Sequence, residues 1–189
     1  MQFSGKEIKL DRELSDLDKF TVDFIKILRK YTKYVIISGY VSILLGRSRS
    51  SEDVDIIVPK MEFVTFQNLA KGLIDNNKFY CLNTKTVKEM YEYLLHNTAI
   101  RFAKNNTVIP NIELKFAKNK IDDLTLVKTI TVKLNKETLI ISHLELQVAF
   151  KEEVLKSPKD EEDARHIRNV IPLDENLIKK YKVMLREFY

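Results

Sequence analysis

YVIISGYVSILLGRSRSSEDVDIIVP, running from Tyr34 to Pro59, holds four local patterns in a row. Tyr34–Ser38 is a short β-branched run that reads as a buried strand. Gly39 breaks it, Val41–Leu45 reads as a short buried helix, and Gly46 supplies the stop. Asp53–Val58 is a second strand. Its alternation puts Val54, Ile56 and Val58 on one face and Asp53 and Asp55 on the other. Pro59 ends it.

Outward from this run, Leu14, Leu17, Phe20, Phe24, Ile27 and Leu28 recur at three- and four-residue steps, which predicts an amphipathic helix over Asp11–Tyr31. A second helix is expected over Lys60–Asn77, stopped at Asn76-Asn77. Phe79–Leu82 reads as an edge strand, Val87–Leu95 as a helix, and Ile100–Ala103 and Asn111–Phe116 as two more strands. A helix near Ile121–Leu126 and a hairpin, Ile130–Leu134 with Thr138–Ile141, complete the mixed part. After Ser142 the pattern is helical throughout. Leu144–Leu155 is one helix, and Ser157-Pro158-Lys159-Asp160 opens another with a Ser cap, Pro at the first position and an early acid. Asp174 caps the last. The expectation is an α+β (α/β) protein: a core over residues 1–142 that includes the N-terminal helix, and a C-terminal helical segment over 143–189 packed on it.

With 189 residues, 44% of them hydrophobic and 31% charged, the chain can bury a sizeable core. No window reaches the ~20 apolar residues of a membrane span, and residues 1–10 lack the apolar centre of a signal peptide. Cys81 stands alone, so no internal disulfide or Cys-based zinc site is available, and a reducing cytoplasm is the expected setting. A net charge of +5 permits nucleotide or RNA contact without requiring it. His96, His143 and His166 show no metal-ligand spacing, and the glycine loops of Walker and dinucleotide sites are missing.

Two acids at i and i+2 on a strand share a face about 6–7 Å apart, which suits a pair of hard divalent ions. Taken alone, Asp53 and Asp55 describe the wet face of an amphipathic strand better than they describe a metal site. What favours chemistry is the order: Ser38-Gly39 before a short helix, then Arg47, Arg49, Ser50 and Ser51, then the two acids. A glycine at a strand–helix junction lets backbone approach a phosphate, and the following residues add donors. Glu113, flanked by apolar residues at the centre of its strand, becomes a third acid if that strand lies beside Asp53–Val58.

This ordered set resembles the nucleotidyltransferase superfamily of DNA polymerase β, and more narrowly the small prokaryotic enzymes related to the AbiEii toxin group. Ser38-Gly39-Tyr40-Val41-Ser42-Ile43-Leu44 is similar to the family's glycine segment, and Arg49-Ser50-Ser51-Glu52-Asp53-Val54-Asp55 to its Arg-x-Ser/Thr-x-Asp-x-Asp motif. Lys151, on Phe150–Leu155, and Lys159-Asp160-Glu161-Glu162-Asp163 resemble its downstream Lys helix and Lys-Asp-x-x-Asp motif. Ser38 stands where the family has a first glycine, and Glu113 where Asp is commoner. The resemblance implies a mixed sheet flanked by helices, and a transferase that moves a nucleoside monophosphate from a nucleoside triphosphate, such as ATP, to a hydroxyl or phosphate. Asp53, Asp55 and Glu113 would be catalytic and would hold Mg2+ or Mn2+. Ser38, Gly39, Arg49, Ser51, Lys151, Lys159 and Asp160 would bind the nucleotide, with Lys151 reaching phosphates. Acceptors implied by such relatives are tRNA or other RNA, a protein or a small molecule, and a toxin paired with an antitoxin protein is one setting. The alternative is an inactive module of the same fold that binds RNA or a partner protein.

Overall fold

The computed structural model describes residues 1–48, 53–75 and 78–189. Two of the expected nucleotide-binding residues, Arg49 and Ser51, and the helix stop at Asn76-Asn77 lie outside the described residues.

Among those described, nine strands form one mixed sheet: β1 (Gln2–Phe3), β2 (Glu7–Leu10), β3 (Val35–Ile37), β4 (Asp53–Val58), β5 (Phe79–Cys81), β6 (Ile100–Lys104), β7 (Asn111–Phe116), β8 (Thr129–Leu134) and β9 (Glu137–Ser142). Their order across the sheet is β1-β2-β8-β9-β3-β4-β7-β6-β5. The pairs β2/β8, β3/β9 and β4/β7 are parallel and the rest antiparallel. The expected α+β class with a mixed sheet is what the structure shows.

The helices are α1 (Asp16–Leu28), α2 (Gly39–Leu44), α3 (Phe63–Ile74), α4 (Val87–Leu95), α5 (Lys120–Val127), α6 (Leu144–Phe150), α7 (Pro158–Val170) and α8 (Glu175–Leu185). α6 widens into a π-helical turn over Lys151–Leu155. Caps account for several boundaries. The Thr86 hydroxyl accepts from the Glu89 N–H and the Ser157 hydroxyl from the Asp160 N–H, while Asp174 accepts from Asn176 and Leu177. Gly46, at φ +97, takes the left-handed conformation that ends α2.

α1 begins at Asp16, five residues later than expected, because Ser15 and Asp18 form a reciprocal capping box. The carboxylate of Asp18 is wholly buried and accepts from the Tyr40 hydroxyl at 2.7 Å, the Arg12 guanidinium and the Ser15 N–H. It ties the start of α1 to α2. Burial opposes the charge, but these donors hold the Asp18 carboxyl below its ordinary value.

One sheet face is packed under α1 and α3. Phe24 meets Phe102 at 5.6 Å and Phe79 at 5.2 Å, and Phe66 meets Phe116 at 6.3 Å. Each such ring stabilises the fold by about 1.5–3 kcal/mol through burial. Phe102 lies opposite Ile112 in the β6/β7 register, so this face is the one that carries Val54, Ile56 and Leu114. The acidic residues are therefore left to the other face, where α5, α6 and the chain end gather around them.

Candidate active site

β7 lies beside β4 in parallel, with Asp55 opposite Glu113 and Asp53 opposite Asn111. Across β4, Ile37 of β3 is opposite Asp55, and across β7, Arg101 of β6 is opposite Glu113. Cross-strand partners share a face, so Asp53, Asp55 and Glu113 point to the same side of the sheet. Lys115, two residues after Glu113, joins them.

Asp55 and Glu113 converge on a single cation. The Lys115 ammonium is 2.6 Å from Asp55 Oδ1 and 3.2 Å from Glu113 Oε2, while the Arg101 guanidinium is 2.6 Å from Glu113 Oε1. The two carboxyls respond differently. Burial pushes Asp55 up, and although Lys115 pulls it back, the neighbouring Glu113 and Asp53 add to the rise. Glu113 is also desolvated, but Lys115 and Arg101 together hold it below its ordinary value. Lys115 itself is raised: desolvation works against its charge, and Asp55 and Glu113 outweigh it.

A cavity of about 260 Å³ opens beside this pair. Ser38, Asp55, Lys115 and Lys118 line its polar side, and Ile37, Ile57, Phe150 and Tyr189 its apolar side. Ser38 sits at φ +67 and ψ −141, a conformation that L side chains rarely adopt, and its side chain caps nothing. The unusual backbone at the β3–α2 junction thus falls on Ser38 rather than on Gly39, which opens α2. Such strain costs about 1–3 kcal/mol, against about 0.5–1 kcal/mol for the extra freedom of glycine. Ser38→Gly is accordingly expected to raise stability by about 1 kcal/mol, seen as a melting temperature about 2–4 °C higher. An unchanged or lower melting temperature would show that Ser38 is not strained.

The downstream basic and acidic residues are placed elsewhere. Lys151 is fully buried, with its ammonium 2.7 Å from Asp163 Oδ2 and 3.1 Å from Asp160 Oδ1. Arg47, expected to add charge ahead of the acids, instead donates to Asp163, to Glu162 and to the Lys159 carbonyl. Lys159 is exposed, and its carbonyl is what this network uses. Lys151, Lys159 and Asp160 do not line the cavity beside Asp55. Lys151 fastens the π-helical turn to α7, and Arg47 fastens the segment after α2 to the same helix, joined by His166 Nε2 at 3.1 Å from the Leu45 carbonyl; together they form one clamp.

The sequence reading missed Lys115, Lys118 and Arg101. Lys115 was legible, since a residue at i+2 from Glu113 on a strand must share its face; Arg101 and Lys118 needed the pairing and the cavity. The donor set for a divalent ion is chemically apt. Carboxylate oxygens of Asp55 and Glu113, the hard donors that suit such an ion, flank one point, which the Lys115 ammonium occupies. Among the described residues no group of three acidic, His or Cys side chains is drawn together as a ligand set, so Asp53 is on the right face without closing the set.

No family model matches the chain, and no curated protein sequence matches it either. Solved structures do. An antigenic nucleotidyltransferase-like protein from Paracoccidioides brasiliensis aligns with a TM-score of 0.54 over 89% of this chain and 86% of that one, at 17% identity. The fold is nucleotidyltransferase-like. The antibiotic-resistance factor ANT(2'')-Ia aligns at a TM-score of 0.48 and 13% identity, over 91% of this chain and 94% of that one, too distant to add to the argument. No helix among the described residues is long and apolar enough to cross a membrane.

Proposed function

We propose that the protein is a metal-dependent nucleotidyltransferase, which moves a nucleoside monophosphate from a nucleoside triphosphate to an acceptor hydroxyl or phosphate. The observation that carries this reading is the convergence of Asp55 and Glu113 on one cation at the wall of a cavity also lined by Ser38 and Lys118. Asp55 and Glu113 would hold Mg2+ or Mn2+, with Asp53, on the same face, the third ligand only once its carboxylate turns toward them. Such an ion, when bound, neutralises charge on the phosphates and on the leaving oxygen.

The chain's own groups do the remainder by position and charge, which is most of what phosphoryl-type transfer asks of a protein. Lys115 and Lys118 supply positive charge for the triphosphate, with Ser38 and Gly39 at its edge. Lys115 and Arg101 together keep Glu113 ionised. Glu113, kept ionised in this way, is the group assigned to take the acceptor's proton. Residues 1–142 form the catalytic core in this reading, and 143–189 a helical segment that closes the cleft through Phe150, Leu155 and Tyr189.

The AbiEii-like motif order makes RNA, and tRNA first, the acceptor class to try, ahead of a small molecule or a protein such as an antitoxin. A second reading, a catalytically silent module that binds RNA or a partner protein, is favoured by one observation: Lys115 already neutralises the carboxylates a metal would need. Incubation with labelled ATP, GTP, CTP or UTP, bulk tRNA and Mg2+ or Mn2+ separates the two. Label transfer abolished by EDTA is the expected result. Salt-sensitive RNA binding with no transfer, and no triphosphate binding by calorimetry, would establish the module instead.

A further inference from the structure

Behind the cleft lies a smaller chamber of about 50 Å³. Ile37, Ile57, Phe150, Asp122 and Gln147 belong to both spaces, so the chamber opens off the cleft rather than standing apart. Two polar atoms on its wall, Ser142 Oγ and Gln147 Nε2, are buried and have no hydrogen-bond partner in the protein. Ser142 is 2% exposed and Gln147 6%. A buried donor or acceptor left unmade costs about 1–3 kcal/mol, so two around one hollow imply something that fills it and pairs with them.

The sheet register fixes where the chamber sits. Ile36 is opposite Ile141, so Ser142 falls beside Ile37, which is itself opposite Asp55. Ser142 is thus two strands from Asp55 in one cross-strand row, about 10 Å away. That matches the reach of a nucleoside from its phosphate to the far rim of its base.

We propose that this chamber receives the edge of the nucleobase of the triphosphate, with Gln147 and Ser142 as the groups that read it. The proposal rests on the reading of the cleft as a triphosphate site. The apolar side chains of Ile37, Ile57 and Phe150 on its wall suit the faces of a planar ring. Gln147 offers donors, the Ser142 hydroxyl either donates or accepts, and the Asp122 carboxyl accepts, so the rim must carry donors and acceptors side by side. A phosphate is excluded by Asp122 and by the lack of a basic side chain on the chamber wall, whereas Lys115 and Lys118 lie on the cleft side. The triphosphate is therefore oriented, phosphates to the lysines and base to Gln147.

Calorimetry tests this with inorganic tripolyphosphate and with ATP, GTP, CTP and UTP, each with Mg2+ or Mn2+. The wild-type protein is expected to bind at least one triphosphate ten-fold or more tighter than tripolyphosphate. Gln147→Leu, close in shape, is expected to weaken that triphosphate about ten-fold, the effect of losing one hydrogen bond, and to leave tripolyphosphate unchanged. Ser142→Ala should act in the same direction. If wild-type protein binds all four triphosphates no better than tripolyphosphate, the proposal is overturned without recourse to any variant. Equal binding by Gln147→Leu and wild type also overturns it. Binding of neither ligand by the wild-type protein removes the reading of the cleft itself, and this proposal with it.

Discussion

Replacing Lys151 with methionine is expected to destabilise the protein by about 3 kcal/mol. Both Lys151 and its partner Asp163 are completely buried, and the ammonium also serves Asp160. Methionine fills the same space but leaves the buried Asp163 short of a counter-charge. Breaking such a pair costs about 3–5 kcal/mol. The low end applies here because Arg47 still donates to the other oxygen of Asp163. Urea unfolding should show the midpoint falling by about 1.5 M for an m-value near 2 kcal/mol/M. A phosphate-binding lysine behaves differently: its loss weakens triphosphate binding and leaves the midpoint where it was. That outcome would overturn the clamp and return Lys151 to the nucleotide.

Asp55→Asn is expected to give the opposite signature, with transfer reduced about a thousand-fold in a protein that melts at or slightly above the wild-type temperature. Burial and two neighbouring acids already work against the charge on Asp55, so removing it relieves more than it disturbs. Lys115 keeps Glu113 as a partner at 3.2 Å. Label transfer and a thermal melt on the same preparation decide the matter. Retained transfer would mean that Asp55 is not the acid that matters, and a large fall in melting temperature would mean that its role is structural.

Strands with strong alternation and helices with side-chain caps were legible from the chain. β4, β7 and α4 have the expected bounds, since Asp53–Val58 and Asn111–Phe116 alternate cleanly and Thr86 and Glu89 announce the start of Val87–Leu95. β1 and β2 were missed. At two and four residues they carry too little pattern, and β2 is held by parallel pairing to β8, more than 100 residues on.

The site was legible in part for a related reason. Asp53, Asp55 and Glu113 stand out as residue types in strands, but only pairing of β4 with β7 shows that Asp55 and Glu113 are neighbours. Lys151 and Arg47 illustrate the converse. A cation that holds a phosphate and one that holds a buried aspartate look alike in sequence, and burial alone separates them. Gln147 gave no signal in sequence beyond being one polar residue in a largely apolar helix, and its interest comes from an unpaired amide facing a hollow.

The place of β3 in the sheet has a consequence for how the chain matures. One edge of β3 is completed by β4, which follows soon after, but the other waits for β9. About 100 residues separate them, which at 5–20 residues per second is roughly 5–20 s of synthesis. During that interval a fully apolar strand carries an open hydrogen-bonding edge, an invitation to pair with another chain. The same strand leads into Ser38, so the cleft cannot be complete before β9 docks. A nascent or truncated chain that stops short of Ser142 should therefore be sticky, and acquire both solubility and a complete cleft in a single late step.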